Sequence, residues 1–327
     1  MGRDMVRVAV LTSGGDAPGM NAAIRAIVRR GISLGLEMYG VKHGYSGLIS
    51  GDFLRLGSRD VGGIIGLGGT VLGTSRCPAF LTAEGQQAAV RQLEDRDIAG
   101  LVIIGGNGSQ AGALALSERG VAVVGVASTI DNDLPGSDIT LGATTALEIA
   151  VGAIDRLRVT ASSHGRVFLV ELMGRACGYL SLISGITGGA EAIVIPEIRQ
   201  TPEEVATAVR DAYRRGKSHA IVVVAEGAEY DANALARYFD EHAARLGFDL
   251  RVTKLGHIQR GGAPSVFDRL SATTLGSAAV EHLQRGAHGV LLGIIDGKIA
   301  ATALSQLAHM AKPLDERLIQ LAGVLAV

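Results

Sequence analysis

Short β-branched apolar runs recur along the chain at 6–11, 99–104, 121–127, 167–172, 192–195, 220–225, 251–255 and 290–295. Each has the length of a strand, and 121–127, apolar throughout, reads as a buried one. Longer helical patterns fill the gaps at 19–35, 83–95, 109–118, 144–161, 202–215 and 231–246. The sharpest helix start is Thr201-Pro202-Glu203-Glu204, with a hydroxyl cap, proline at the first helical position and acids in the first turn. This alternation predicts βαβ units and parallel sheets, and so an α/β fold.

At 327 residues the chain exceeds the size at which one core keeps growing, so two domains are expected. No repeat or Pro/Ser-rich linker marks the boundary, but the character of the chain changes after the Asp131 region, where the helix near 144–161 leads into a second set of strands. Apolar residues make up 47%, with 46 glycines and few aromatics, which suits a soluble α/β protein built on aliphatic side chains. A net charge of −1 argues against a nucleic-acid or membrane partner. Two cysteines, Cys77 and Cys177, are too few for a disulfide framework, and no signal-peptide or membrane-length apolar stretch is found, so a cytoplasmic setting is expected.

Polar and glycine-rich clusters interrupt this pattern just past the strands. Gly14-Gly15-Asp16-Ala17-Pro18-Gly19 follows the first run, and Gly105-Gly106-Asn107-Gly108-Ser109 follows the second. A strand entering a helix through such a turn aims backbone N–H groups and a helix N-terminus at an anion, although one turn alone also suits a purely structural role. One residue past the third run, Thr129-Ile130-Asp131-Asn132-Asp133 adds two carboxylates and a hydroxyl. Together these point to phosphoryl transfer: one carboxylate takes a proton from an attacking hydroxyl, and the other helps hold magnesium on the donor phosphates. Arg76 ends the glycine-rich stretch 68–76 and suits either neutralisation of a transferring phosphoryl group or a solvated surface position. His257 and Arg260, three residues apart before Gly261-Gly262, suit a sugar-phosphate clamp or, singly, a structural histidine and a surface arginine. Arg166, Arg175 and Arg251 supply further donors near strand ends.

Six strings stand in order: SGGDAPGMNAAIR from Ser13, GGTVLGTSR from Gly68, GGNGS from Gly105, TIDND from Thr129, MGR from Met173 and GHIQRGG from Gly256. In that order and spacing they resemble the bacterial 6-phosphofructokinase family, and the likeness runs from 6 to 312. The resemblance implies two doubly wound parallel-sheet, Rossmann-like domains with the active site in the cleft between them. Residues 1–142 with 259–309 would bind ATP, and 143–258 with 310–327 would bind fructose 6-phosphate. Asp131 would be the base for the 1-hydroxyl of fructose 6-phosphate, with Asp133 near the metal and Thr129 touching the sugar or phosphoryl group. Gly15, Arg76 and Arg175 would stabilise the charge developing in transfer.

The same resemblance assigns the nucleotide to Gly15, Tyr45, Arg76, Cys77, Gly106, Asn107, Gly108 and Ser109, with Mg2+ held at Asn107 and Asp133. The sugar phosphate falls to Thr129, Asp131, Met173, Gly174, Arg175, Glu226, His257 and Arg260. Arg166 and Arg251 would reach in from a neighbouring subunit, which implies a homo-oligomer, in this family usually a tetramer. Arg25, Arg29, Arg158, Glu191, Arg215, Lys217 and His219 match an effector site for a nucleoside diphosphate or phosphoenolpyruvate. Ser58 stands where one more arginine is expected, with Arg55 and Arg59 nearby.

Two positions bear on the donor. ATP-using members carry GGDGS, whereas Asn107 keeps an acceptor oxygen without the full negative charge, which predicts weaker metal binding and slower turnover. Gly108 favours ATP, since pyrophosphate-using relatives place an aspartate there; Ser128 matches neither donor class. The expected activity is ATP-dependent phosphorylation of fructose 6-phosphate. The alternatives are a pyrophosphate-dependent or related sugar-phosphate kinase, and a weakly catalytic regulatory paralogue that binds both ligands.

Overall fold

A computed structural model describes residues 6–325. Its contacts divide the chain into two compact units. The first runs to Ile130 and adds Leu134–Thr145 and Arg260–Lys312; the second comprises Asp131–Asp133, Ala146–Gln259 and the residues from Pro313 on. The sequence-based boundaries therefore shift by a few residues, for local reasons. Lys312 Nζ donates to Asp138 O at 3.0 Å and ties 310–312 to the first unit. Gln259 Oε1 accepts from Met173 N–H and joins the second. Residues 1–5 and 326–327 of the expected domains lie outside the described residues.

The first unit opens with β1 (Arg7–Thr12), α1 (Met20–Ser33), β2 (Glu37–Val41), α2 (Gly44–Ser50), β3 (Phe53–Leu56), α3 (Ala83–Glu94), β4 (Ile98–Gly105), α4 (Asn107–Ser117) and β5 (Val123–Ala127). Helix α5 (Ala143–His164) begins in the first unit and continues into the second. There follow β6 (Val167–Leu172), α6 (Tyr179–Thr187), β7 (Ala192–Val194), α7 (Pro202–Arg214), β8 (Ala220–Ala225), α8 (Ala232–Glu241), α9 (Ala243–Leu246) and β9 (Leu250–Lys254). The chain then adds α10 (Val266–Gln284), β10 (Val290–Ile295), β11 (Lys298–Ala303) and α11 (Leu304–Leu307) to the first unit, and α12 (Glu316–Leu325) to the second.

Among the described residues the first unit's sheet has seven strands in the order β11-β10-β5-β4-β1-β2-β3. Its neighbours pair parallel except β2–β3 and β10–β11, which are antiparallel. The order reverses between β1 and β4: from β1 the chain proceeds outward to β2, and from β4 it proceeds the other way to β5. A crevice opens at such a switch point, beyond the carboxyl ends of the two strands. The second unit's sheet, β7-β8-β6-β9, is wholly parallel. Alternate residues of β6 enter different cores, Val167 and Leu169 on one face and Phe168, Val170 and Leu172 on the other, so helices cover both faces.

The missed strands β2, β3 and β11 are peripheral and only partly buried, and so lack the continuous apolar run that marks β4 and β5. The expected helix at 231–246 is two, because His242 leaves helical geometry with φ −110° between α8 and α9. Thr201 caps α7 as expected and completes a capping box with Glu204. Helix α10 was not foreseen, since its first turns expose Val266, Phe267 and Leu270 while burying Asp268, which scrambles the amphipathic pattern.

Asp268 is a load point of the first unit. It is 0% exposed. Its Oδ1 accepts from Gly142 N–H at 2.8 Å, while Oδ2 accepts from Thr145 N–H at 2.8 Å and from Thr145 Oγ1 at 2.5 Å. A buried carboxylate is costly unless fully hydrogen-bonded, and these donors, two of them from the start of α5, supply that compensation. Replacing Asp268 by Ala orphans them; urea unfolding should show a loss of about 3 kcal/mol.

Candidate active site

Parallel pairing of β1 with β4, in register Thr12↔Ile104, sets the two glycine turns side by side, and Ser13 N–H donates to Ile104 O at 3.0 Å. The Arg260 guanidinium closes on the first turn: Nη1 donates to Asp16 O at 3.0 Å, and a Cβ on Gly15 would lie 2.5 Å from it. A side chain at that position would have to displace the guanidinium. Four bonds lay the stretch 67–76 against this turn and the start of α1. Asn21 Nδ2 donates to Leu67 O and Gly68 O, each at 3.1 Å, Asn21 Oδ1 accepts from Val71 N–H, and Thr74 Oγ1 donates to Gly14 O at 2.8 Å. Arg76 follows, exposed, with Cys77 half-buried beside it.

At the second turn Gly106 caps α4, and Asn107 and Gly108 open the helix. A Cβ on Gly108 would meet nothing within 4 Å, so a side chain there would enter open space. This helix start can receive an anion. Tyr45 and Ser109, expected to touch a nucleotide, instead lie beneath the turn. Tyr45 is 6% exposed, stacks on Phe80 at 4.0 Å and donates its hydroxyl to Ser109 O at 2.5 Å; burial raises its pKa. A buried phenol needs such a partner, and this one braces the loop from below. Thr129, two residues past β5, lies against Gly106, and its carbonyl accepts from Thr140 Oγ1 at 2.6 Å.

In the second unit, residues just past the carboxyl ends of β6, β8 and β9 converge. Gly174 and Arg175 N–H donate to Glu226 Oε1 at 3.2 and 2.9 Å, and Met173 N–H donates to Gln259 Oε1 at 2.8 Å. His257 lies exposed on the one-turn helix Gly256–Gln259. Asp131–Asp133 belongs to this unit by contact: Arg175 Nε lies 3.8 Å from Asp131 Oδ2, and the Asn132 side chain hydrogen-bonds the Tyr179 phenol. Asp131 is buried, whereas the Arg175 side chain is 69% exposed, so its charge faces outward. Asn132 and Arg175 both have left-handed backbone, φ 51° and 53°, a strained state for residues other than glycine that clusters at functional sites.

Arg166 and Arg251 stand elsewhere. Both lie at the amino ends of β6 and β9, bridged by Asp249, whose Oδ2 is 2.7 Å from Arg166 Nε and whose Oδ1 is 2.5 Å from Arg251 Nη1. Six residues of β6 separate Arg166 from Met173, about 20 Å of strand. The same amino edge carries much of the expected effector cluster: Lys217 Nζ is 3.0 Å from buried Glu191 Oε1, and Arg158 Nη2 donates to Gly189 O at 3.1 Å. Arg215 and His219 lie in the segment between α7 and β8, whereas Arg25 and Arg29 lie on α1 in the first unit. Arg260, grouped by the sequence with the sugar-phosphate residues, binds the first glycine turn instead. Asn21 and Gln259 were missed, although both stand inside quoted strings; a buried amide signals nothing in a linear sequence until its partners are known.

No group of three or more His, Cys, Asp and Glu among the described residues is placed to hold a metal unaided. Magnesium needs no such cage, since it binds through one or two carboxylates plus substrate phosphates, and Asp133 is one such carboxylate. Among the described residues no helix is long and apolar enough to cross a membrane.

A profile of the phosphofructokinase family matches residues 7–283. ATP-dependent 6-phosphofructokinase 1 of Thermus thermophilus is 50% identical over 326 residues, 99% of this chain and 100% of that one. ATP-dependent 6-phosphofructokinase of Thermotoga neapolitana is 48% identical over 323 residues, 98% of this chain and 100% of that one. The solved structure of phosphofructokinase from Saccharomyces cerevisiae superposes with a TM-score of 0.86 at 35% identity, over 98% of this chain and 48% of that one.

Cys177 stands two residues before Tyr179 in the crowded segment after Arg175. Burial, then the nearby carboxylates Glu197, Asp133 and Asp131, push its thiol up to about 11. A raised thiol pKa favours the neutral, unreactive form. With Cys77 replaced by Ala, iodoacetamide should alkylate Cys177 about a hundredfold more slowly at pH 7.5 than it does an ordinary thiol, the rate rising with pH toward 11.

Proposed function

The chain belongs to the phosphofructokinase family, and we propose that it transfers the γ-phosphoryl group of ATP to the 1-hydroxyl of fructose 6-phosphate, giving fructose 1,6-bisphosphate and ADP. The reading is carried by the full-length likeness, at about half of all positions, to relatives named for that ATP-dependent activity. The open space over Gly108 agrees with it, because a nucleotide needs that room. The first unit is the nucleotide half and the second the sugar-phosphate half.

In this mechanism Asp131 takes the proton of the 1-hydroxyl as that oxygen attacks the γ-phosphorus. Arg175, beside Asp131, and Arg76 neutralise charge gathering on the transferring group, and the Gly15 N–H donates to it. Gly15, Arg76, Cys77, Gly106, Asn107 and Gly108 line the nucleotide, with Tyr45 and Ser109 as support. Thr129, Met173, Gly174, Glu226 and His257 orient the sugar phosphate, and Arg260 acts through the first glycine turn. Magnesium would be held by Asn107 and Asp133 and would supply charge neutralisation on the donor phosphates.

By the family resemblance Arg166 and Arg251 serve the site of another copy, and their place at the amino edge of the sheet, about 20 Å of strand from Met173, agrees with that. The working form is therefore a homo-oligomer, a tetramer by family habit, working in the cytoplasm. Arg25, Arg29, Arg158, Glu191, Arg215, Lys217 and His219 form the effector site for a nucleoside diphosphate or phosphoenolpyruvate. Asn107 favours a second reading, a weakly catalytic regulatory paralogue.

A coupled assay for fructose 1,6-bisphosphate separates these readings. Product is expected with ATP and not with pyrophosphate; binding of both ligands without turnover under any donor or metal sinks the enzyme reading. Asp131→Asn should lower kcat about a thousandfold with little change in either KM, since it removes only the proton acceptor. Asn107→Asp should lower the magnesium concentration needed for half-maximal rate and raise turnover, because a carboxylate binds the hard cation better than an amide; an unchanged titration would show that the amide is compensated elsewhere.

A further inference from the structure

The β6 ladder ends where the sugar-phosphate residues begin. Leu255 N–H donates to Glu171 O and Glu226 N–H to Leu172 O, and these are its last rungs. The next three amides are taken by side chains, Met173 N–H by Gln259 Oε1 at 2.8 Å and those of Gly174 and Arg175 by Glu226 Oε1. Two side chains therefore hold the first three amides of the loop. Gln259 is 0% exposed, and its Nε2 has no hydrogen-bond partner. A buried amide donor left unpaired is costly, and an apolar residue of similar size would avoid that cost. Gln259 also closes the one-turn helix Gly256–Gln259 that presents His257. Its Oε1 thus joins the two segments that present His257 and Gly174-Arg175, within one unit.

We propose that Gln259 is a positioning residue for the sugar phosphate, its Oε1 holding Met173 N–H so that Gly174, Arg175 and His257 keep their binding geometry. This rests on reading the second unit as the sugar-phosphate half. Gln259 touches no reacting atom; it acts through the loop, so its loss falls on the sugar phosphate and not on ATP.

The test combines calorimetric titration of fructose 6-phosphate into the intact protein with steady-state kinetics in both substrates, for wild type, Gln259→Leu and Gln259→Glu. Gln259→Leu should weaken fructose 6-phosphate binding and raise its KM about tenfold, the scale of one buried hydrogen bond, with the KM for ATP moving less than about twofold and Tm little changed. Gln259→Glu keeps an oxygen for Met173 N–H but brings in a buried charge. Burial raises a carboxyl pKa, so its deficit relative to wild type should shrink as pH falls from about 8 to 6 and the group protonates. Wild-type affinity in Gln259→Leu, equal losses for both substrates, or a pH-independent deficit in Gln259→Glu matching that of the leucine variant overturns the assignment. A wild type that binds no fructose 6-phosphate removes the sugar-phosphate reading and this proposal with it. One that binds it as tightly as Gln259→Leu removes the proposal alone.

Discussion

Parallel pairing of β1 with β4 is the constraint on which the first unit's chemistry depends. Both strands run the same way, and each passes through glycine into a helix, so two sets of backbone N–H groups arrive at one edge of the sheet. Neither turn alone implies a ligand. Side by side at a switch point they form a place where phosphates are met by amides and a helix start. The neighbouring bonds preserve this: Arg260 leans on Asp16 O, Asn21 pins the stretch from 67 to 71, and Tyr45 braces Ser109. Each is a polar group paired inside the fold, where an unpaired one would be costly.

The second unit reaches a similar end by other means. Its central strand β6 stops, and side chains, not another strand, take over the amides that follow. This suits a site that must display backbone and still hold it still. Two non-glycine residues in left-handed geometry, Asn132 and Arg175, stand in the same region, and each has a partner that holds it: the Tyr179 phenol for Asn132, and Glu226 Oε1 for the Arg175 amide. The carboxyl edge of the sheet thus carries Gly174, Arg175 and Glu226, while Arg166 and Arg251 sit at the amino edge with Asp249 between them. About 20 Å of strand separates the two edges.

Charge, more than shape, sets the main chemical question. The second glycine turn has the cap, the helix and the open space over Gly108, but Asn107 contributes an amide oxygen where a carboxylate would hold a hard cation more strongly.

Much of this protein is legible in its linear order. The strands β4, β5, β6 and β8 announce themselves because burial on both faces demands unbroken apolar runs, and the six strings name the family because close approach to phosphate tolerates few residue types at each place. What the order of residues leaves open is whatever depends on a distant partner. The peripheral strands β2, β3 and β11 have no local signature, the burial of Tyr45 follows from Phe80 and Ser109, and Arg260 turns to the first glycine turn because Asp16 O is there to accept it. Gln259 and Asp268 were unremarkable letters until folding placed Met173, 86 positions away, and Thr145, 123 positions away, within hydrogen-bond reach. Periodicity and residue type by themselves determined the buried strands, several of the helices and the chemistry on offer, since these follow from short-range sterics and solvation. Which amides, carbonyls and charges meet was decided only by the tertiary structure, because hydrogen bonds act over about 3 Å and the chain must fold before such pairs exist.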